Sequence, residues 1–442
     1  MKHFAYFALI LSAAPLWGQT DPKLDSILGR LDQMEQSNRQ LLEEIRSLRA
    51  ELEQYRKTRA PESPPVEERV AVQEQQTAEL AQTKVEASQK MPVSLTGMLL
   101  FNAFHNGPHG GSSEDPVVAG TASSPRSAGA SLRQTVLGLT FHGPDLPWGG
   151  KASGSLYMDF FAGSQQPDNH LLHIRVATLD LNWKNTTVTV GQDKPMISPR
   201  EPDSLAQVGV SPLTAAGNLW DWQPQVRVEQ RFAWGESAGF RAQAGVYQTS
   251  EQDSYVPGSY VRTLEALRPG YQGRLEYWHA WGSRRLELAP GFHLSTTHVA
   301  GTSVDSRVAS IDWLVAPLSK IQFTGEWFQG QDVAVLGGLR QGFRILGPGH
   351  ALPVHSAGGW SQLAFFATSR LTFHVYGGQQ RDRASDLYTG SIRRNFVYAG
   401  NLIYRLAPNV LASVEASQTR TTYLNIGNRL NNHYDLALAY LF

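Results

Sequence analysis

The side chains best placed to act on a solute are charged ones at alternate positions. Gln225, Arg227, Glu229 and Arg231 alternate with Val226 and Val228, Arg274 and Glu276 repeat the arrangement, and Arg175 follows His173 at the same spacing. Between them, the stretch from Asp193 to Gln223 carries Asp193, Lys194, Arg200, Glu201 and Asp203. Mixed charges across a narrow passage create a transverse field, which orients polar solutes and raises the barrier to apolar ones. Bond-making chemistry finds little support. No G-x-S-x-G, H-E-x-x-H or P-loop pattern occurs, and His105, His109, His293 and His298 lack the spacing of metal ligands on one element. Neither a metal nor another cofactor is expected, although a rim pair such as His298 with Asp305 keeps an enzymatic alternative open.

Strands must position these groups. From Pro92 onward hydrophobicity follows a period of two, giving about sixteen candidate strands. In Ile311, Trp313 and Val315, and in Ile321, Phe323 and Trp327, one parity is apolar, while Asp312, Gln322, Thr324 and Glu326 hold the other. The last strand shows it best: Tyr434, Leu436, Leu438, Tyr440 and Phe442 share one face and His433, Asp435, Ala437 and Ala439 the other. A greasy face running to the final residue suits the closing strand of an outer-membrane barrel, where lipid covers the face and the first strand pairs the edge. Ionisable groups turned to lipid would cost about 2–4 kcal/mol near the midplane, so the polar parity must face a lumen. An all-β transmembrane barrel of this size, over 92–442, leaves an aqueous channel. Short connections alternate with long ones (105–130, 193–223, 250–269, 330–359, 381–393), as in barrels with short periplasmic turns and long external loops.

The totals agree. Across 442 residues the formal charge is zero, which gives no reason to expect nucleic acid. No cysteine is present, which excludes disulfides, thiolate metal sites and cysteine nucleophiles. Mean hydropathy is −0.31, and beyond the N-terminus no apolar run is long enough for a helical span.

Ahead of the barrel the pattern changes twice. Residues 1–18 have the layout of a signal peptide, with Lys2 and His3 before the apolar run from Phe4 to Ala14. Within 21–59, heptads place Leu24, Leu31, Asn38, Ile45 and Leu52 at a, and Ile27, Met34, Leu41, Leu48 and Tyr55 at d. So narrow a seam implies partner chains, and Leu at a with Ile at d in the first heptad leans toward three or more strands. Asn38 reads as a register device. A lone amphipathic helix resting on another surface is the alternative. RAPESPP, from Arg59 to Pro65, ends the helix, and 60–91 reads as a polar linker.

The block from Leu172 to Arg231 contains His173, Arg175 and Ala177, then Asp180-Leu181-Asn182-Trp183, then Val190-Gly191-Gln192, then a long loop ending in Trp220-Asp221-Trp222-Gln223-Pro224-Gln225-Val226-Arg227. In that order it resembles trimeric outer-membrane porins of the DcaP-like type and, more distantly, phosphate-selective porins. The likeness spans most of 93–442, and a coiled coil ahead of a barrel matches the same architecture. It implies a homotrimer in the bacterial outer membrane, lipid around it and the coiled coil in the periplasm, passing small hydrophilic solutes without catalysis. Small organic anions such as dicarboxylates are the implied substrate class, and the third external loop, near 193–223, is implied to fold inward and constrict the channel. Val136 stands before Leu137-Gly138 where the family pattern has an inward arginine. A structural alternative is that the coiled coil tethers the membrane to the cell wall.

Overall fold

The computed structural model describes residues 93–162, 170–251 and 253–442, and before them only Gln36, Gln40, Glu43, Glu44, Arg46, Ser47, Leu48 and Ala50. Those eight are helical. Of the heptad positions named above only Leu48 is among them; the other heptad positions, the signal peptide and the linker lie outside the described residues. The chain divides into two compact units, Met1–Val85 and Glu86–Phe442, the second being the barrel.

Its strands are β1 (Val93–Asn106), β2 (Ser127–Ser131), β3 (Val136–Leu146), β4 (Gly150–Ala162), β5 (Leu171–Asn182), β6 (Thr186–Asp193), β7 (Gln223–Trp234), β8 (Ala238–Ser250), β9 (Leu267–Trp281) and β10 (Arg284–Val299). There follow β11 (Thr302–Leu318), β12 (Ile321–Gln331), β13 (Phe343–Gly347), β14 (His350–Pro353), β15 (His355–Phe366), β16 (Leu371–Asp382), β17 (Ile392–Ala407), β18 (Val410–Tyr423) and β19 (Gly427–Leu441). All but β13 and β14 form one antiparallel sheet that closes where β1 pairs with β19. Because β2 and β3 share one place beside β1, the wall has sixteen positions. Between β2 and β3 that wall position is broken, with Arg133, Gln134 and Thr135 buried in the break.

Closure uses the last residue. The Phe442 amide donates to Gly97 O (3.1 Å), the Gly97 amide donates to Phe442 O (2.9 Å), and the Phe442 ring lies across the Cα of Gly97, where a Cβ would meet it at 2.8 Å. On β19, Tyr434, Leu436, Leu438 and Tyr440 are 49–54% exposed on the outer face, whereas His433, Asp435, Ala437 and Ala439 are 1–4% exposed inside. The same parity carries round the wall through the strand register: Leu436 stands opposite Val414, Val414 opposite Leu402, and Leu402 opposite Phe373. An outer face of this kind is the apolar band of a membrane-spanning barrel.

Connections at the end holding Val93 and Phe442 are short: 147–149, 183–185, 235–237, 282–283, 319–320, 367–370 and 408–409. At the opposite end they are mostly long, including 107–126, 194–222, 251–266, 332–354 and 383–391. The links at 300–301 and 424–426 break that rule; in the first, Ala300 (φ 56°) and Gly301 (φ 77°) make a two-residue hairpin turn in which both residues are left-handed.

Candidate functional site

The connection 194–222 folds into the barrel because the wall offers it partners that a surface loop would lack. Met196 and Ile197 pack against Tyr247, Val308 and Phe328, together with Val335 and Leu336 of the 332–354 connection. The Met196 amide donates to Tyr247 Oη (3.1 Å) and to Gln272 Oε1 (3.0 Å). Leu213 and Ala216 pack on Trp360, Tyr376, Val397 and Ala399, and Leu205 packs on Leu100, Ala437 and Ala439. The sequence held a signal for this that alternation alone does not read. Large apolar groups on lumen-facing positions, such as Phe328, Trp360 and Tyr376, need a cover other than lipid.

Polar groups fix the loop between these apolar anchors. Glu326 accepts from Ser198 Oγ near the loop's start and from the Leu219 amide (3.0 Å) near its end. Gln362 and Asp203 exchange two hydrogen bonds of 2.6 Å, Asn401 donates to Asp203 O (2.7 Å), and Ser204 Oγ donates to Glu415 (2.6 Å). On the far wall Gln134 donates to Ala206 O (2.9 Å) and accepts from the Val208 and Gly209 amides (2.6 and 2.9 Å). Arg200 is the loop's charged anchor, bonded to Glu287 and Asp312 and 3.9 Å from Glu276. Arg274 reaches Asp312 and Glu276 (both 2.7 Å), and Arg241 also bonds Glu276. Each of these carboxylates thus has a second cation besides Arg200: Arg274 for Asp312, Arg274 and Arg241 for Glu276, and Arg285 for Glu287.

This geometry corrects two expectations. Arg274 and Glu276 do not line the water path: at 5% and 1% exposure they lie within the wall behind Arg200. Nor do the loop charges face one another across a gap, because each finds a partner close by. Lys194 pairs with Glu201 (2.5 Å), Asp193 with Arg227 (2.8 Å), and Arg231 with Glu229 (2.9 Å). Although burial pushes the Glu201 carboxyl up, Lys194, a hydrogen bond from Ser211 and the nearby Arg175 together hold it below the usual carboxylate range. Asp203 keeps its side chain 60% exposed while its backbone is tethered.

Water reaches only part of the wall. Lumen-facing residues of β9–β12, β15–β19 and the outer half of β1 are mostly buried under the loop. On β3–β8 they are mostly half-exposed, including Thr140, Tyr157, Thr178, Asp180, Thr187, Arg227, Glu229, Arg241 and Gln243. The hollow barrel expected from strand number is therefore narrowed to a strip along this arc. Arg175 stands beside it with its guanidinium 4.7 Å over the Trp222 ring and 3.7 Å from Asp159. Each cation of the strip has a carboxylate close by: Arg175 has the buried Asp159, Lys194 has Glu201, Arg227 has Asp193, and Arg231 and Arg241 have Glu229. Arg133, three residues before Val136, adds no cation, being buried under Phe161 and paired with Glu114 (2.6 Å). The rim pair does not form either, since His298 bonds Glu265 (2.7 Å) while Asp305 bonds Thr296 and Arg307. No metal-binding cluster occurs among the described residues.

No protein-family model matches the chain, and no curated protein matches its sequence. Solved structures do. The outer-membrane channel DcaP of Acinetobacter baumannii superposes with a TM-score of 0.65 at 16% identity, covering 80% of this chain and 97% of that one. An anion-selective porin from Comamonas acidovorans gives 0.55 at 13% identity, covering 80% and 100%. At such identities the likeness is one of fold: the closed sixteen-position barrel of this chain is similar to that of the DcaP channel, the architecture that the sequence resemblance implied.

Proposed function

We propose that this protein is a passive outer-membrane porin for small hydrophilic solutes, assembled as a homotrimer with its coiled coil in the periplasm. The observation that carries the reading is the polar strip left open between the inward loop and β3–β8, set in a barrel whose outer face is apolar. Its hydrogen-bonding walls favour hydrated solutes, and its locally paired charges favour weak ion selectivity over a strong field. Small organic anions such as dicarboxylates are the substrate class we assign, with Arg175, Lys194, Arg227 and Arg231 as their contacts. Single-channel recording in planar bilayers tests the reading: steady conductance with weak anion preference is expected, and its absence would leave the barrel as the foothold of a cell-wall tether. The trimer rests on the heptads, so deleting 24–55 should weaken the oligomer while leaving a folded, conducting barrel. Tyr434 to Phe442 we assign as the membrane-assembly signal. Phe442→Ser should lower assembled yield, since it removes the ring lying over Gly97 at the seam.

A further inference from the structure

The outer face of the barrel is interrupted by one basic patch. On the lipid-facing positions of β16, Phe373 and Val375 give way to Gln379 and then Arg381; on β17 Tyr404, Leu402 and Tyr398 give way to Phe396 and then Arg394. The register sets Arg381 opposite Arg394, and Phe396 opposite Arg420, while Arg393 falls at a bulge beside them. All four arginines are exposed, and none has a carboxylate partner among the described residues. Another outward arginine, Arg307, is paired with Asp305 (2.5 Å). The lipid-facing positions of β12 and β15–β19 carry no acidic residue at all.

Height and shape say what belongs there. With a rise of about 3.3 Å per residue and a tilt near 40°, Arg394 lies roughly 25 Å above Tyr404, which is the height of a barrel's apolar band. The patch thus sits at the membrane interface farther from the chain's C-terminus. Two adjoining hollows, one of about 430 Å³ among the arginines themselves and one of about 500 Å³ extending below them, share Gln379, Arg381 and Arg394. The lower one runs down the wall over Gly359 and Gly377, between Trp327 and Phe396. Like charges directly opposite on neighbouring strands are destabilising, so the four guanidiniums call for an anion, and their forked donors match phosphate.

We propose that this patch binds a phosphorylated, acylated lipid of the outer leaflet, with phosphate held by Arg381, Arg393, Arg394 and Arg420 and an acyl chain in the groove over Gly359 and Gly377. A free anion would leave the groove empty, and an uncharged lipid would leave the arginines unpaired. The inference rests on the barrel being membrane-embedded and is independent of conduction.

The test uses the full-length protein, delipidated in detergent and titrated with lipid A, dephosphorylated lipid A or inorganic phosphate, with bound lipid counted by native mass spectrometry. Lipid A should be retained, and dephosphorylated lipid should bind about tenfold more weakly or worse. Arg381→Ser with Arg394→Ser should match that loss, Gly377→Leu should weaken retention with all charges in place, and Arg307→Ser should change nothing. Heat-modifiable migration on gels confirms that each variant is folded. Equal lipid A binding by the double variant, displacement of lipid by inorganic phosphate alone, or undiminished binding in Gly377→Leu would overturn the proposal. So would a changed number of chains per assembly in the double variant, which would mark the patch as a contact between copies.

Discussion

The two arcs of the lumen wall are built from the same alternating strands and use their polar side chains for opposite purposes. On β9–β12 and β15–β19, Glu326, Gln362, Asn401 and Glu415 spend their hydrogen bonds on the inward loop. Over β3–β8, polar groups bond along the wall: Thr189 to Asp180 (2.6 Å), Ser155 to Thr178 (3.0 Å), Gln243 to Glu229 (2.9 Å). The first arc is an attachment surface along most of the loop; the second is wetted and holds the loop's first residues, through Tyr247 and Gln225. A lumen-facing carboxylate is therefore structural or solute-facing according to whether the loop covers it, and its place in the strand pattern does not tell which.

The sharpest way to break this contrast is Arg200→Ala. It removes the loop's cation from Glu287 and Asp312, which keep Arg285 and Arg274 respectively, so a loss of about 1.5–3 kcal/mol is expected. Thermal unfolding should register that loss, and conductance should rise as the loop leaves the wall. If stability and conductance both match wild type, the covered arc is not held by this network.

Charge changes on the open arc should act on selectivity instead. Arg227→Ser combined with Arg231→Ser should shift the reversal potential toward cations, and Glu229→Ser should shift it the other way. Both shifts should fade at high salt, where the Debye length falls from about 8 Å toward 3 Å. Stability should change little, since exposed pairs contribute about 0–1 kcal/mol. Two shifts of the same sign would instead indicate general loosening of the wall.

The smallest effect should appear with pH at the mouth. Asp115, in the 107–126 connection, bonds Gln207 of the inward loop. Burial pushes its carboxyl up to about 8 against the Gln207 hydrogen bond, helped by Glu114, Glu415 and Asp435. Glu114 is itself paired with Arg133. An acid whose folded pKa lies above its unfolded value of 3.8 favours the buried, folded state while protonated. Burial of Asp115 under the loop should therefore weaken as pH rises from about 4 to 8, even though the Gln207 bond itself suits the carboxylate, and loop fluctuations in single-channel traces should grow over the upper part of that window. Asp115→Asn should flatten this dependence, and an unaltered profile in that variant would assign it elsewhere.

Much of the barrel was legible because period two is a local property. A strand such as Tyr434 to Phe442 declares its two faces whatever lies across the lumen, and sixteen such stretches with alternating connection lengths suffice for the wall. The site was less legible. Arg227 and Glu229 are half-exposed, yet Arg274 and Glu276, on the same pattern, are sealed behind Arg200. Glu326 looked like one more lumen carboxylate, and its task of holding both ends of the loop depends on residues 107 and 128 positions away.

The sequence by itself determined strand alternation, the inward and outward faces and the closing role of Phe442, because each follows from side-chain parity against lipid. Only the tertiary structure decided which half of the lumen the 194–222 connection covers and which charges remain in water. It also decided that Arg381, Arg394 and Arg420 meet on one outer patch. Those outcomes depend on contacts between distant strands, where burial and pairing are set by what packs against a residue and local periodicity carries no record of it.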